Sequence, residues 1–172
     1  RIIDRIRPKT AKDDRLNVDF YPEGGNIVCG LPCRVAYKVT DREGRNLHAH
    51  CQLLADDDPI TGTETVHDGM GSFSLLPQDG VKYKLRVKTD KYSRTFKLPD
   101  TRLQGVMLAV DALEKDSVRI AIAATESLLH KAMGMSITCR GELQQFNAYS
   151  LSNRQTRLPA IAKERLSPGV NQ

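Results

Sequence analysis

Short runs of alternating apolar and polar residues recur along the chain, and each run ends at a turn signal. The clearest run covers residues 34–39 and stops at Asp41-Arg42-Glu43-Gly44. Because successive side chains of a strand point to opposite faces, this pattern predicts half-buried β-strands. The runs are too short for helices and are rich in β-branched or aromatic residues. The first series of predicted strands covers residues 26–29, 34–39, 47–54, 71–76, 81–89 and 93–98.

A second series of strands begins after the boundary at Pro99-Asp100-Thr101. It covers residues 105–110, 118–124, 135–139, 143–149 and 157–161, and residues 126–132 could form one helical turn. The regular spacing predicts an all-β, immunoglobulin-like β-sandwich. Five strands fall short of the roughly seven of a closed sandwich. We therefore expect a connector over residues 1–15, one complete sandwich over 16–100, and a second, C-terminally truncated sandwich over 101–172.

Length and composition fit this interpretation. The chain has 172 residues, of which 40% are hydrophobic and 27% charged, an ordinary globular balance. No apolar run approaches the roughly 18–20 residues of a membrane span. The chain has no signal peptide and begins with Arg1, so we expect a mature or excised piece of a longer protein.

The net charge of +5 is mild, but one segment concentrates basic residues. In a strand over residues 81–89, alternation places Tyr83, Leu85 and Val87 on one face. The opposite face would carry a basic stripe, which consists of Lys82, Lys84, Arg86 and Lys88. The stripe could contact an anionic partner, or it could be a solvated face whose like charges discourage aggregation. The spread of the remaining charge does not indicate nucleic-acid binding.

The four cysteines do not form a metal-binding pattern. Cys29, Cys33, Cys51 and Cys139 include no CxxC pair, so a tetrahedral zinc site is unsupported. Their even number permits disulfides in an oxidising compartment, but free, buried thiols are the favoured interpretation. No G-x-S-x-G elbow, local Cys-His pair or phosphate-binding loop is present. We therefore predict no catalytic residue, no cofactor and no enzyme activity.

Two histidines could ligate a metal ion. His48 and His50 lie two residues apart on a predicted strand, so both side chains would share one face. Paired imidazoles can bind zinc or copper, with a third ligand from His67 or from Asp56-Asp57-Asp58. The alternative is an exposed polar pair opposite an inward face of Leu47, Ala49 and Cys51. No metal site is predicted.

The aspartate cluster at residues 56–58 has two further interpretations. Its carboxylates could hold calcium, but the spacing lacks the glycine and the bidentate glutamate of a calcium loop. A turn is therefore favoured. The aromatic residues fall into strand patterns and are expected in the core: Tyr21, Tyr37, Phe73, Tyr83 and Phe96. Because aromatics make up only 5% and tryptophan is absent, stacking on sugars is disfavoured.

Several motifs resemble one protein family. The segment DFYPEGGNIV over residues 19–28, followed by GLPCRVAYK over 30–38, resembles the opening of macroglobulin-like domains. These domains occur in large bacterial cell-envelope proteins, some associated with TonB-dependent receptors. HDGMGSF over 67–73 resembles their G-M-G-S-F turn, with Met70 expected to fill a gap against a neighbour. KLP over 97–99 resembles their closing motif, and residues 157–170 resemble the element that leads into the next strand.

The resemblance implies β-sandwich domains that act as spacers and binding modules in the periplasm or at the outer membrane. It implies contacts with other domains of the same polypeptide and with an envelope protein or glycan. A homodimer through an exposed strand edge is a further expectation. The alternatives are a dedicated glycan- or protein-binding module and a protease-trapping fragment. The thioester motif C-G-E-Q of trapping macroglobulins is not matched, because Cys139-Arg140-Gly141-Glu142-Leu143-Gln144 has different spacing.

Overall fold

A computed structural model describes residues 15–171, and the predicted connector lies outside this range apart from Arg15. The strands are β1 (Leu16–Pro22), β2 (Ile27–Val28), β3 (Cys33–Asp41), β4 (His50–Ala55), β5 (Asp58–Glu64), β6 (Met70–Leu75), β7 (Tyr83–Lys88), β8 (Ser93–Lys97), β9 (Thr101–Arg102), β10 (Val106–Asp111), β11 (Ser117–Ala124), β12 (Ala132–Cys139), β13 (Glu142–Ser150), β14 (Gln155–Arg157) and β15 (Ile161–Ala162). Two 3₁₀ turns, Glu126–Leu128 and Lys163–Arg165, are the helical segments of the described residues. The all-β class is confirmed, and the several sheets are consistent with a β-sandwich.

The chain divides into two compact units. The described part of the first unit comprises residues 15–20, 36–73 and 82–98, and that of the second comprises residues 21–35, 74–81 and 99–171. The predicted domains at 16–100 and 101–172 stay a prediction. None of the helices within residues 15–171 is long and apolar enough to cross a membrane.

The first unit contains an antiparallel sheet with the strand order β5-β4-β7-β8. Its two central strands alternate as the sequence predicts, with Cys51 and Leu53 of β4 inward beside Val87 and Leu85 of β7. Leu53, Leu85 and Val87 are fully buried. Burying such a side chain contributes about 1.5–3 kcal/mol, so this register is strongly specified. A further sheet has the order β1-β3-β6.

Aromatic packing completes the core of the first unit. The rings of Tyr37 on β3 and Phe73 on β6 have centroids 6.0 Å apart. The buried Tyr37 hydroxyl lies 3.2 Å from Thr63 Oγ1 on β5, which satisfies its polar end. Gly71 on β6 is required for this packing, because an added Cβ would collide with the Tyr37 ring and lie 2.6 Å from the Glu64 carbonyl oxygen.

Two tight hairpins in the first unit use residues with positive φ. Asp56 (φ 47°) and Asp57 (φ 80°) connect β4 directly to β5, and Asp68 (φ 49°) and Gly69 (φ 73°) precede β6. Positive φ at both central residues matches the right-handed twist of the strands that a hairpin joins. The predicted turn at residues 56–58 is therefore confirmed at its first two positions. Met70 follows the second turn and is 47% exposed, so it does not fill the expected gap.

The second unit is built around β11, which pairs with β10, β14 and β15. Its buried core comprises Ile120, Ile122, Ala124 and Leu151. The strands β12 and β13 form a separate hairpin around Arg140 and Gly141, both with positive φ. The strand predicted over residues 157–161 is divided into β14 and β15, because Pro159 cannot donate to a ladder.

Several sequence predictions are corrected. The strands β1, β5 and β9 were not predicted. Strand β1 lies between the predicted connector and the first predicted strand, β5 follows the aspartate turn without a pause, and β9 lies at the predicted domain boundary. The strand expected from residue 47 begins at His50, and the expected helical turn shortens to Glu126–Leu128. Tyr21 is 56% exposed rather than part of the core, because it lies next to the Gly24-Gly25 turn where β1 ends.

Candidate functional site

The outer face of the sheet β5-β4-β7-β8 carries the basic residues and the histidines that the sequence singles out. Strand β7 alternates as expected: Tyr83, Leu85 and Val87 are buried, while Arg86 and Lys88 are exposed and Lys84 is half-buried. Lys84, Arg86 and Lys88 therefore share one face of β7. Lys82 precedes β7 and is exposed, with its backbone paired to Asp56 rather than continuing the strand.

Two of the cations have partners on the same sheet. Lys84 Nζ lies 2.7 Å from Asp57 Oδ1 in the β4–β5 turn, and this contact holds the pKa of Asp57 below its usual value. Arg86 Nη1 donates to Gln52 Oε1 of β4 at 3.2 Å. An exposed ion pair such as that of Lys84 with Asp57 stabilises a protein only weakly, so an anionic partner could replace Asp57 at little cost.

Positive charge extends from β7 to the edge strand. Lys97 of β8 lies directly opposite Lys84, and Thr95 lies opposite Arg86. Directly opposed like charges repel. Strands β7 and β8 together present a basic surface, which consists of Lys84, Arg86, Lys88 and Lys97. We call this surface the basic face.

At the opposite edge of the sheet, next to β5, the two histidines lie close to a carboxylate. His48 precedes β4 and His50 begins it, and their rings lie with centroids 5.4 Å apart. Glu64 ends β5 directly opposite His50, and Glu64 Oε2 lies 3.5 Å from His50 Nδ1. One ligand atom from each of the three residues lies within 4.8 Å of the others. We call this group the His-His-Glu cluster.

The buried Thr65 hydroxyl orients His48. Thr65 Oγ1 lies 3.3 Å from His48 Nδ1 and accepts the Ala49 amide at 2.9 Å. Ala49 and Cys51 are buried, so both imidazoles project from the opposite, outer side, as the sequence predicts. Since Nδ1 of His48 faces the hydroxyl, its Nε2 is the nitrogen that remains for a ligand.

The third member of the cluster differs from both sequence candidates. His67 Nε2 instead contacts the neighbouring Asp68 carboxylate at 3.0 Å, and the turn residue Asp57 contacts Lys84. Glu64 was missed because β5 was missed, since its Pro59 and Gly62 weaken the strand pattern. The Asp56-Asp57 turn alone could not have placed it, because an unbulged two-residue hairpin sets Thr63 opposite His50. A β-bulge at Ile60 shifts the pairing by one residue and brings Glu64 there instead.

The cysteines, which are candidate nucleophiles, are mostly buried. All four cysteines are free, with Cys33, Cys51 and Cys139 buried and Cys29 half-buried. Burial, with a smaller contribution from the Glu23 charge, raises the pKa of the Cys33 thiol from 9.0 to about 11. Burial also raises the pKa of Cys51 and of Tyr37. These shifts reduce the reactive, ionised form at neutral pH, the opposite of nucleophile activation.

The second unit carries a cleft of about 440 Å³ and two more voluminous open clefts. One, of about 880 Å³, is lined by charged residues that include Arg119 and Glu114. These two form an ion pair at 2.7 Å, and hydrogen bonds from Ser117 and Arg119 lower the pKa of Glu114. The other, of about 750 Å³, has an apolar lining that includes Val118, Ile120 and Ile137. Neither cleft contains a residue that the sequence singles out for chemistry.

The segment that resembles a thioester motif forms a hairpin. Cys139 ends β12, Arg140 and Gly141 form the turn, and Glu142 begins β13 opposite Cys139. Leu143 and Gln144 continue β13. This arrangement agrees with the strands predicted over residues 135–139 and 143–149, which the turn joins.

Comparisons with known proteins do not assign the chain to a family. No protein-family model matches the chain, and no curated protein matches it. The macroglobulin-like resemblance therefore stays a prediction.

Proposed function

We propose that the chain is a non-catalytic structural and interaction part of a bacterial envelope protein, located in the periplasm or at the outer membrane. The resemblance of residues 19–38 and 67–73 to macroglobulin-like domains supports this location and family. The all-β fold is compatible with it. The other domains of the same polypeptide and an envelope protein or glycan are its partners in this proposal.

One observation carries the proposal. In the sheet β5-β4-β7-β8, the Cys51 thiol points inward with Leu53, Leu85 and Val87, while the cations of β7 lie on the opposite face. A buried thiol with a raised pKa serves packing rather than attack on a substrate. A rigid sheet with a regular basic face can hold a fixed spacing and can recognise an anionic surface by charge complementarity.

A dedicated binding module is the second candidate, and the basic face is the observation that favours it. Charge on a rigid sheet mainly determines association rate and partner choice. In this case the partner is an anionic envelope glycan or an acidic protein surface. A protease-trapping fragment that lacks the thioester is the remaining alternative, and the basic face does not favour it.

A pull-down with charge-reversed variants tests the interaction role. The chain is immobilised and exposed to a solubilised bacterial outer-membrane extract, as wild type, as Lys84→Glu/Arg86→Glu, and as the control Lys115→Glu/Lys131→Glu. The control makes the same change in net charge at exposed residues of the second unit. We expect material that wild type and control retain and that Lys84→Glu/Arg86→Glu loses. Equal retention by all three proteins, or by none, would contradict an interaction through this face.

A further inference from the structure

The His-His-Glu cluster lies at the edge of the first unit's sheet next to β5, and the proposed interaction role does not use it. Its members come from two adjacent strands and the segment before them: His48, His50 and Glu64. The tight Asp56-Asp57 turn and a β-bulge at Ile60 together set the register that places Glu64 opposite His50. The cluster is therefore held by backbone pairing rather than by a long loop.

We propose that His48, His50 and Glu64 form a binding site for a divalent transition-metal ion, with Zn²⁺ as the best-matched ion. Two imidazoles and one carboxylate are a ligand set that zinc accepts, with a fourth position left for water. Imidazole also selects against calcium and magnesium, which prefer oxygen ligands.

The distances are close to those that a zinc ion needs. Ligand atoms at about 2.0–2.2 Å from a tetrahedral zinc ion are about 3.3 Å from one another. His50 Nδ1 and Glu64 Oε2 are already 3.5 Å apart. The full set lies within 4.8 Å, and the His50 and Glu64 side chains are 74% and 59% exposed. Exposed side chains change rotamer freely, so small rotations close the remaining gap.

The contact between Thr65 and His48 fixes the orientation of the His48 ring, as a metal site requires. A ligating histidine usually bonds through its second ring nitrogen to a neighbouring acceptor, which fixes the ring orientation. Thr65 Oγ1 lies 3.3 Å from His48 Nδ1, and Thr65 is only 3% exposed. The hydroxyl is thus a fixed, buried partner for one nitrogen, and Nε2 is the nitrogen left for the ion.

One neighbouring charge opposes the site and offers a test. Lys88 of β7 lies directly opposite His50, on the side away from Glu64. Side chains in such a pair have Cβ atoms about 4.5–5.5 Å apart. The ammonium group weakens the binding of a cation at His50. Replacing Lys88 with glutamate removes that repulsion and adds a carboxylate on the open side of the site.

Zinc titration followed by two methods tests the proposal. In the first, long-range ¹H–¹⁵N NMR of the whole chain at pH 7.5 resolves the four histidine rings. We expect zinc to shift His48 and His50 and to leave His67 and His130 unchanged. In the second, calorimetry measures the affinity of variants, with far-UV circular dichroism as the check on folding.

The variants distinguish zinc binding at the His-His-Glu cluster from binding elsewhere on the chain. We expect one zinc ion per chain, and affinity reduced about tenfold or more by His48→Ala, His50→Ala or Glu64→Gln. His67→Ala is the matched control and should leave the affinity unchanged, while Lys88→Glu should increase it. Absence of saturable binding to the folded wild type overturns the proposal. So does binding that survives the three ligand substitutions or that shifts His67 instead. A plain His50–Glu64 ion pair gives the first of these outcomes.

Discussion

At the scale of single residues, close packing around Tyr37 determines what the first unit tolerates. The buried Tyr37 ring lies beside Phe73, and its hydroxyl reaches Thr63. Gly71 leaves room for that ring, whereas Gly62 on the edge strand β5 faces open space. The HDGMGSF segment predicted the turn at Gly69, but the sequence could not show that Gly71 serves packing. That requirement depends on a ring contributed by β3, far away in the chain.

We expect Gly71→Ala to destabilise the protein by about 1–3 kcal/mol, because the new methyl group must displace the Tyr37 ring or the β5 backbone. The matched control is Gly62→Ala, where no atom lies within 4 Å of the added Cβ. Its unfolding free energy should be unchanged or slightly raised, since alanine restricts the unfolded chain. Urea unfolding of both variants measures the difference. Equal stability of the two variants would contradict the packing described for Gly71.

At the scale of elements, alternation predicted the central strands of the sheet β5-β4-β7-β8 and its edge strand β8, but it missed the other edge strand, β5. In β7 the buried and exposed residues follow the sequence pattern throughout, because one face packs on the core and the other meets water. The edge strand β5 is exposed along nearly its whole length, so no core selects an alternating pattern there. For the same reason the candidate metal site was only partly predicted. Its two histidines were named, while Glu64 depends on a strand whose sequence carries no burial signal.

Neighbouring residues of β7 should respond very differently to truncation. Leu85→Ala removes a fully buried side chain, and we expect a loss of about 2–5 kcal/mol. Arg86→Ala removes an exposed side chain hydrogen-bonded to Gln52, and its effect should stay within about 0.5 kcal/mol. Thermal and urea unfolding of the two variants provide the measurement. The reverse order of stability would mean that β7 is shifted by one residue, which would turn the basic stripe into the core.

At the scale of the whole molecule, most of the cysteine thiols are buried, whereas the cations and the candidate metal ligands lie at the surface. Within residues 15–171, three of the four free thiols are buried, and the raised pKa values of Cys33 and Cys51 keep those thiols protonated at neutral pH. The cations and the His-His-Glu cluster lie on the outer face of one sheet. This separation favours a protein that recognises and supports over one that performs nucleophilic chemistry. The assignment to an envelope protein depends on the family resemblance and awaits the pull-down comparison.

The reactivity of the cysteines tests the central claim most directly. The folded chain is alkylated with iodoacetamide at pH 8, and peptide mass spectrometry follows each cysteine, with the chain in concentrated guanidinium chloride as the reference. The account predicts that Cys33 and Cys51 react on the order of a hundredfold or more slowly in the folded chain, because alkylation requires opening of the core. The half-buried Cys29 should react faster than either. A folded-state Cys33 or Cys51 that reacts as fast as in the unfolded chain, or faster, would identify an accessible, activated thiol and contradict a structural role.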